Sequence, residues 1–178
     1  RDPGNGYTIN WGKYWKNSQE RDSSVGNRYV EMGLSAPVNV TWEVTYACNL
    51  SCIQCLSDSG MKRAAELSTD ECHRVIDDLS AMRVFQFNIG GGEPFMRPDL
   101  AQIIRLACLH LKPRLIHIPT NAISPKFIDR TARKILATMD EFLPGSVPIS
   151  IKPSIDGVGA MHDYVRGYEG NFALLEKT

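Results

Sequence analysis

Apolar residues along this chain change their spacing from two to three or four and back, and the alternation predicts the elements. Val38, Val40, Trp42 and Val44 alternate with Asn39, Thr41, Glu43 and Thr45, the signature of a half-buried strand. Ser68-Thr69-Asp70-Glu71 has capping-box spacing, and Cys72, Val75, Ile76, Leu79 and Met82 follow as the apolar stripe of a first helix. Val84 to Ile89 reads as a second strand, closed by Gly90-Gly91-Gly92-Glu93-Pro94. Pro98, at a first helical position, opens a second helix with Ile103, Ile104, Ala107, Cys108 and Leu111 on one face. Leu115 to Ile118 is a third strand ending in Pro119-Thr120-Asn121, and Ser124-Pro125 starts a third helix that turns Phe127, Ile128, Ile135 and Leu136 inward. Val147 to Ile151 is a fourth strand, ending in Lys152-Pro153-Ser154-Ile155-Asp156-Gly157.

Strands that alternate with helices imply βαβ units around a parallel sheet, hence an α/β fold. The chemically unusual residues all follow strands: cysteines after the first, Gly-Gly-Gly-Glu after the second, Thr-Asn after the third, Ser-x-Asp after the fourth. In a barrel those loops share one rim, where barrel enzymes build active sites. Residues 1–37 are polar, show no sustained period and read as an N-terminal extension, in which Trp11, Tyr14 and Trp15 are the packing candidates; residues 38–178 carry the βα pattern.

With 43% hydrophobic and 22% charged residues in 178, the chain can bury a sizeable core. Twenty basic residues balance twenty acidic ones, so no net field draws the chain to nucleic acid or an anionic membrane. Lys126, Arg130, Arg133 and Lys134 form a local basic stretch that suits the solvated face of a helix. No apolar run has the length of a membrane span and no signal-peptide pattern is visible, so a cytoplasmic location is expected. The first residue is Arg1, not Met, so the sequence is expected to start inside a longer product.

Cys48, Cys52 and Cys55 place three thiols within eight residues, in the pattern Cys-x3-Cys-x2-Cys. A four-iron cluster takes four ligands, so three cysteines leave one iron open, and an open position is where metal sites react. Two other readings compete. Structural zinc wants four ligands in two pairs, and no second Cys/His pair stands at finger-like spacing. A disulfide wants an oxidising compartment, and five cysteines are an odd number. Cys72 and Cys108 fall at apolar helix positions and read as core residues.

The cysteine run after the first strand, followed by Gly-Gly-Glu after the second, resembles the radical S-adenosylmethionine (SAM) superfamily. From about Tyr29 to Pro98, with Thr41-Trp42-Glu43-Val44-Thr45-Tyr46-Ala47-Cys48 and Asn88-Ile89-Gly90-Gly91-Gly92-Glu93-Pro94, the chain is most similar to the peptide-modifying maturases of the mycofactocin type. Pro119-Thr120-Asn121, Ser154-Ile155-Asp156-Gly157 and His162-Asp163-x-x-Arg166-Gly167 resemble the wider group of peptide and protein maturases with a C-terminal cluster-binding domain. The resemblance implies a partial (β/α)6 TIM-like barrel, of which about four βα units fit here. It also implies that Cys48, Cys52 and Cys55 hold a [4Fe-4S] cluster whose open iron binds SAM. One electron then splits SAM, and the resulting radical takes a hydrogen atom from a substrate.

On the same resemblance, Gly91, Gly92 and Glu93 receive the methionine end of SAM, where glycine permits close backbone approach. Thr120, Asn121 and Ser154 are candidates for ribose and carboxylate hydrogen bonds, and Asp156 for SAM or substrate, although all four are also ordinary turn and cap residues. Arg166 suits either a bound carboxylate or a surface ion pair. Gln54 departs from the pattern, since the position before the last cysteine is commonly aromatic or His and lies near adenine. Further units of the barrel are expected from the rest of a longer polypeptide, or another chain is expected to cover the open sheet edge, which would otherwise expose backbone and apolar surface. The partners implied are a peptide or small-molecule substrate and an electron donor such as flavodoxin or ferredoxin. A nucleic-acid, lipid or small-molecule substrate and a non-catalytic cluster- or zinc-binding module are the alternatives.

Overall fold

A computed structural model of the chain describes residues 37–60, 66–82, 84–142 and 147–178. Trp11, Tyr14 and Trp15, and the expected extension up to residue 36, lie outside them. Four strands form one parallel sheet in sequence order: β1 Asn39–Thr45, β2 Gln86–Gly91, β3 Leu115–Thr120 and β4 Ile149–Pro153. Helices α1 (Thr69–Ser80), α2 (Leu100–Leu106) and α3 (Pro125–Phe142) connect them, and α4 (Ala160–Arg166) and α5 (Asn171–Leu175) follow β4. These are the four expected βα units of an α/β partial barrel. No described helix is long and apolar enough to cross a membrane.

Alternation along each strand sorts the side chains into two faces. The register sets Val40 opposite Phe87, Trp42 opposite Ile89, and Ile116 and Ile118 opposite Ile149 and Ile151. That face packs on Cys72 and Ile76 of α1, Ile103 and Ile104 of α2, and Ile128 and Ile135 of α3 in one buried cluster. Trp42 meets Phe87 edge to face, with ring centroids 6.1 Å apart, an arrangement that adds to plain burial. The opposite face carries Asn39, Thr41, Asn88, His117 and Ser150, and Asn88 donates to Asn39 Oδ1 at 2.8 Å and to Thr41 Oγ1 at 3.2 Å. Among the described residues, this second face is therefore polar.

Pro119 lies inside β3 yet breaks no ladder with β2, because β2 pairs only with Leu115, Ile116 and His117. The capping box forms as predicted: Ser68 N–H donates to Glu71 Oε2 at 2.8 Å, and Glu71 N–H donates to Ser68 Oγ at 3.3 Å. Other expectations shift. Val84 is buried but precedes β2, and Pro98 precedes a helix that begins at Leu100. Phe127, Leu136 and Met82 are exposed rather than inward. Ile128 and Ile135, seven apart, already fill the inner stripe of α3, so residues one step to either side point about 100° away. After β4 the chain forms two short helices, α4 and α5, separated where Gly167 and Gly170 adopt left-handed φ values of 69° and 83°.

Arg97 joins the layers. Its guanidinium donates to the Val44 and Leu67 carbonyls and pairs with Asp99 at 2.8 Å, so one buried side chain fixes the end of β1 against the approach to α1. Burial alone would favour neutral Asp99, but hydrogen bonds from Arg97 and Thr69 hold its carboxyl below the usual range. Arg97→Met is expected to cost about 2–3 kcal/mol, since it strands Asp99 and two carbonyls. A urea midpoint unchanged from wild type would refute that role.

Candidate active site

The loop after β1 is pinned before it reaches its cysteines. Ala47 and Gly60 form an isolated parallel bridge, with Cys48 N–H donating to Gly60 O at 2.8 Å and Gly60 N–H to Tyr46 O at 2.9 Å. Within the loop, Cys55 N–H donates to Cys52 O at 3.1 Å, a turn that brings the two thiols to one side, and Ile53 N–H donates to Val165 O at 3.0 Å on α4. The loop is thus held at both ends and against a helix from the fourth unit.

A cleft of about 180 Å³ opens where the strands end. Cys48, Cys52 and Cys55 line it, together with Gly91 at the end of β2 and Gly92 and Glu93 after it, Thr120 at the end of β3 and Asn121 after it, and Ser154 after β4. Four loops, far apart in sequence, converge as the strand-end pattern predicts. Asp156 does not line the cleft. Its Oδ2 accepts from Gln54 Nε2 at 3.0 Å and faces Arg166 Nε at 2.7 Å, so it stands behind two residues that do line it. Arg166 is 9% exposed, which removes the surface ion pair as an explanation, and its Nη1 lies 3.7 Å from Cys52 Sγ.

The polar residues of the cleft brace one another. Glu93 is buried and accepts from Asn121 N–H at 2.6 Å and Phe95 N–H at 3.2 Å; burial pushes its carboxyl up, and these amides resist the shift. Asn121 donates to Asn49 Oδ1 at 2.7 Å and reaches towards Cys48 Sγ at 4.0 Å. Thr120 Oγ1 accepts from Ala122 N–H at 3.2 Å, and the Thr120 carbonyl accepts from Ser154 N–H at 2.9 Å. The glycines serve the chain itself: a Cβ on Gly91 would overlap the Thr45 carbonyl, and one on Gly92 the Ala47 carbonyl.

Two supporting residues had no assigned role in the sequence. His162 and Asn171 are fully buried, and they link the loops: Asp156 N–H donates to His162 Nδ1 at 3.2 Å, His162 Nε2 meets Asn171 Oδ1 at 3.1 Å, and Asn171 Nδ2 donates to Asn121 O at 3.1 Å. The i, i+4 spacing of His162 and Arg166 puts both on one face of α4, the available signal that they act together. Asp163 accepts from Gly170 N–H and Phe172 N–H, both at 2.7 Å, and so fixes α5.

The donor set favours a cluster over a single ion. Cys48, Cys52 and Cys55 line one cleft, and among the described residues that line it there is no fourth Cys or His, so the set falls short of a structural zinc site and matches the three thiolates of a cluster with one open iron. Cys72 and Cys108 belong to the apolar core, as their helix positions predict. Hydrogen bonds from Ser59 lower the exposed Cys55 thiol, whereas burial raises Cys48 and Cys72 and pushes Cys108 up to about 11. In the metal-free chain at neutral pH, iodoacetamide should therefore label Cys55 first, and Cys72 and Cys108 only after unfolding. Peptide mass mapping over time checks the order; early modification of Cys108 would contradict it.

Residues 42–152 match the family model of the Radical SAM superfamily. Mycofactocin maturase MftC of Mycobacterium ulcerans is 42% identical over 151 residues, which cover 83% of this chain and 37% of that protein. AdoMet-dependent heme synthase of Methanosarcina barkeri is 30% identical over 148 residues, 78% of this chain and 37% of that one. Among solved structures, Streptococcus suis SuiB bound to precursor peptide SuiA shares the fold with a TM-score of 0.57 and 21% identity, covering 82% of this chain and 31% of SuiB. The chain spans little more than a third of the length of these curated relatives.

Proposed function

This chain belongs to the radical SAM superfamily, whose members use a [4Fe-4S] cluster and S-adenosylmethionine, and from that premise we propose that it forms the cluster-bearing part of an enzyme that modifies a peptide. The observation that carries the proposal is the convergence of three cysteines with the ends of three further strands on one cleft. Cys48, Cys52 and Cys55 hold the cluster through three irons. Bound together, cluster and SAM supply a one-electron cleavage that yields a radical able to take hydrogen from an unactivated carbon.

The chain's own groups then position the reactants. The Gly91-Gly92-Glu93 edge takes the ammonium of SAM, for which a carboxylate already held by two amides is a preorganised partner. Arg166 takes the carboxylate, exchanging Asp156 for it, while Thr120, Asn121 and Ser154 bind hydroxyl and carboxylate oxygens. Gln54, not an aromatic residue, would be the side chain offered to the adenine, and Asp156 fixes its amide. The reducing electron would come from a donor of the flavodoxin or ferredoxin kind.

A peptide substrate is favoured because similarity to the mycofactocin maturase, at 42%, exceeds that to the heme synthase, at 30%. The second reading, a small-molecule substrate, rests on the latter relative. The test is anaerobic: with the cluster assembled in the full-length protein, dithionite and SAM should release 5'-deoxyadenosine, and a candidate precursor peptide should change mass. No 5'-deoxyadenosine from a cluster-loaded sample would overturn the catalytic reading. Turnover with an unchanged peptide and a modified porphyrin precursor would overturn the peptide reading.

A further inference from the structure

His73 and Asp77 lie one turn apart on α1, and His110 faces them from the turn that follows α2. That turn, Ala107–Leu111, is π-helical and ends at Lys112 in the left-handed conformation, φ 50°. A π turn is an uncommon departure from α geometry, found often at functional positions, and it changes the direction in which the residues it holds project. Here it sets His110 against the His73-Asp77 pair. None of the three lines the cleft at the strand ends.

Asp77 is the centre of the group. Its Oδ1 is 2.9 Å from His110 Nδ1 and its Oδ2 is 3.4 Å from His73 Nε2. The imidazoles meet edge to face with centroids 4.7 Å apart. One ligand atom from each residue lies within 4.8 Å of the other two, and among the described residues this is the group of metal-ligating side chains so gathered. Although the His73 side chain is 40% exposed, its Nε2 atom is shut off from solvent and makes no well-formed hydrogen bond, its neighbour Asp77 Oδ2 standing 3.4 Å away. A shielded ring nitrogen held only by a long contact to a carboxylate is disposed to accept a stronger partner.

We propose that His73, Asp77 and His110 bind a divalent transition ion of the zinc class, with water as fourth ligand. Two imidazoles and one carboxylate form a donor set that such ions take, while calcium and magnesium want six or more oxygens. Bonds of about 2.0–2.2 Å place tetrahedral ligand atoms roughly 3.3 Å apart. The His–Asp approaches, 2.9 Å to Oδ1 and 3.4 Å to Oδ2, involve different carboxylate oxygens, so one oxygen and both nitrogens, now within 4.8 Å of one another, reach that spacing by rotation of the carboxylate and the rings. The ion would clasp α1 to the segment after α2, both packed on the apolar face of the sheet. Since the unfolded chain lacks the site, binding adds to folding stability. This site is independent of the cluster.

The probe is Zn²⁺ added to the full-length protein with its cluster assembled, so that the cysteines are occupied. Calorimetry should show one further equivalent, and saturating zinc should raise the melting temperature by several degrees. Both effects should vanish in His110→Ala and in His73→Gln. Co²⁺ in place of zinc should give weak visible bands without thiolate charge transfer. The same equivalent should persist in a chain with Cys48, Cys52 and Cys55 all replaced by Ser, which separates this proposal from the cluster assignment. No further equivalent, or one retained in both histidine variants, would reduce the group to ordinary His–Asp ion pairs and overturn the proposal. Thiolate charge transfer seen in wild type but lost in that triple-serine chain would likewise assign the ion to Cys48, Cys52 and Cys55.

Discussion

Cys52→Ala is expected to abolish the four-iron cluster and, with it, the release of 5'-deoxyadenosine, while leaving the chain folded. The middle cysteine sits where the loop is most constrained, between the Ile53 tie to α4 and the turn that brings Cys55 round, so no neighbouring group can move in to replace its sulfur. Two thiolates would then remain for a cluster that takes three from the protein, its fourth iron being the one left open for SAM. The side chain that loses its partner, Arg166, still has Asp156 at 2.7 Å, so no charge is left buried alone and the stability cost should stay near 1 kcal/mol. Cys108→Ala is the contrasting variant. It lies in the apolar core, 1% exposed, and should lower stability by about 1–2 kcal/mol yet keep the full iron and sulfide content. Iron analysis, the charge-transfer absorbance and the spectrum of the reduced cluster separate the two. A four-iron signal retained in Cys52→Ala would refute the ligand assignment, and cluster loss in Cys108→Ala would mean that the core thiol had been misplaced.

The four strands, the capping box and the placement of the cysteines were legible because each is local: alternation of two, a Ser-x-x-Glu spacing, a loop between a strand and a capped helix. So was the rim, since residues that follow strands must gather at one end of a parallel sheet. What stayed hidden depends on distant partners. Asp156 reads from the sequence as a ligand of SAM or substrate, but Gln54, 102 positions away, and Arg166 take up its carboxylate. Arg166 reads equally as a surface charge, and only the packing of α4 against the cysteine loop buries it. Phe127 and Leu136 are apolar but lie to the sides of a stripe that Ile128 and Ile135 already fill, so hydrophobicity without exact angular position misplaced them. The π turn that presents His110 leaves no mark in composition at all. His162 and Asn171 belong to the same class: a buried His-Asn pair that ties two loops together has no periodic signature.

Gly91→Ala is expected to damage both the fold and the site, by about 4 kcal/mol or more. Sequence reading attributes this glycine to close approach of a cofactor, but the structure shows a nearer cause. Gly91 pairs with Thr45 across an irregularity at the end of β1, and its φ of +111° is one that side chains rarely adopt. Strain of that kind alone costs about 1–3 kcal/mol. In addition, the new methyl would overlap the carbonyl of Thr45, which is 2% exposed and cannot retreat into solvent. That carbonyl also accepts from Gly92 N–H at 2.8 Å, so moving it breaks the hydrogen bond that joins the second motif to the strand leading into the cysteines. Displacement should therefore pass directly to Cys48 and lower cluster content as well as stability. Gly60→Ala supplies the comparison, because a methyl there meets nothing within 4 Å and Gly60 lacks a positive φ, although it bridges to Ala47 at the other end of the same loop. It should change stability by no more than about 0.5–1 kcal/mol, and in the stabilising direction if restriction of the unfolded chain dominates. Urea unfolding of the two variants, with iron content measured beside it, decides the matter: equal midpoints would mean that Gly91 is not a packing requirement, and the cofactor would again be the reason for a glycine at that position.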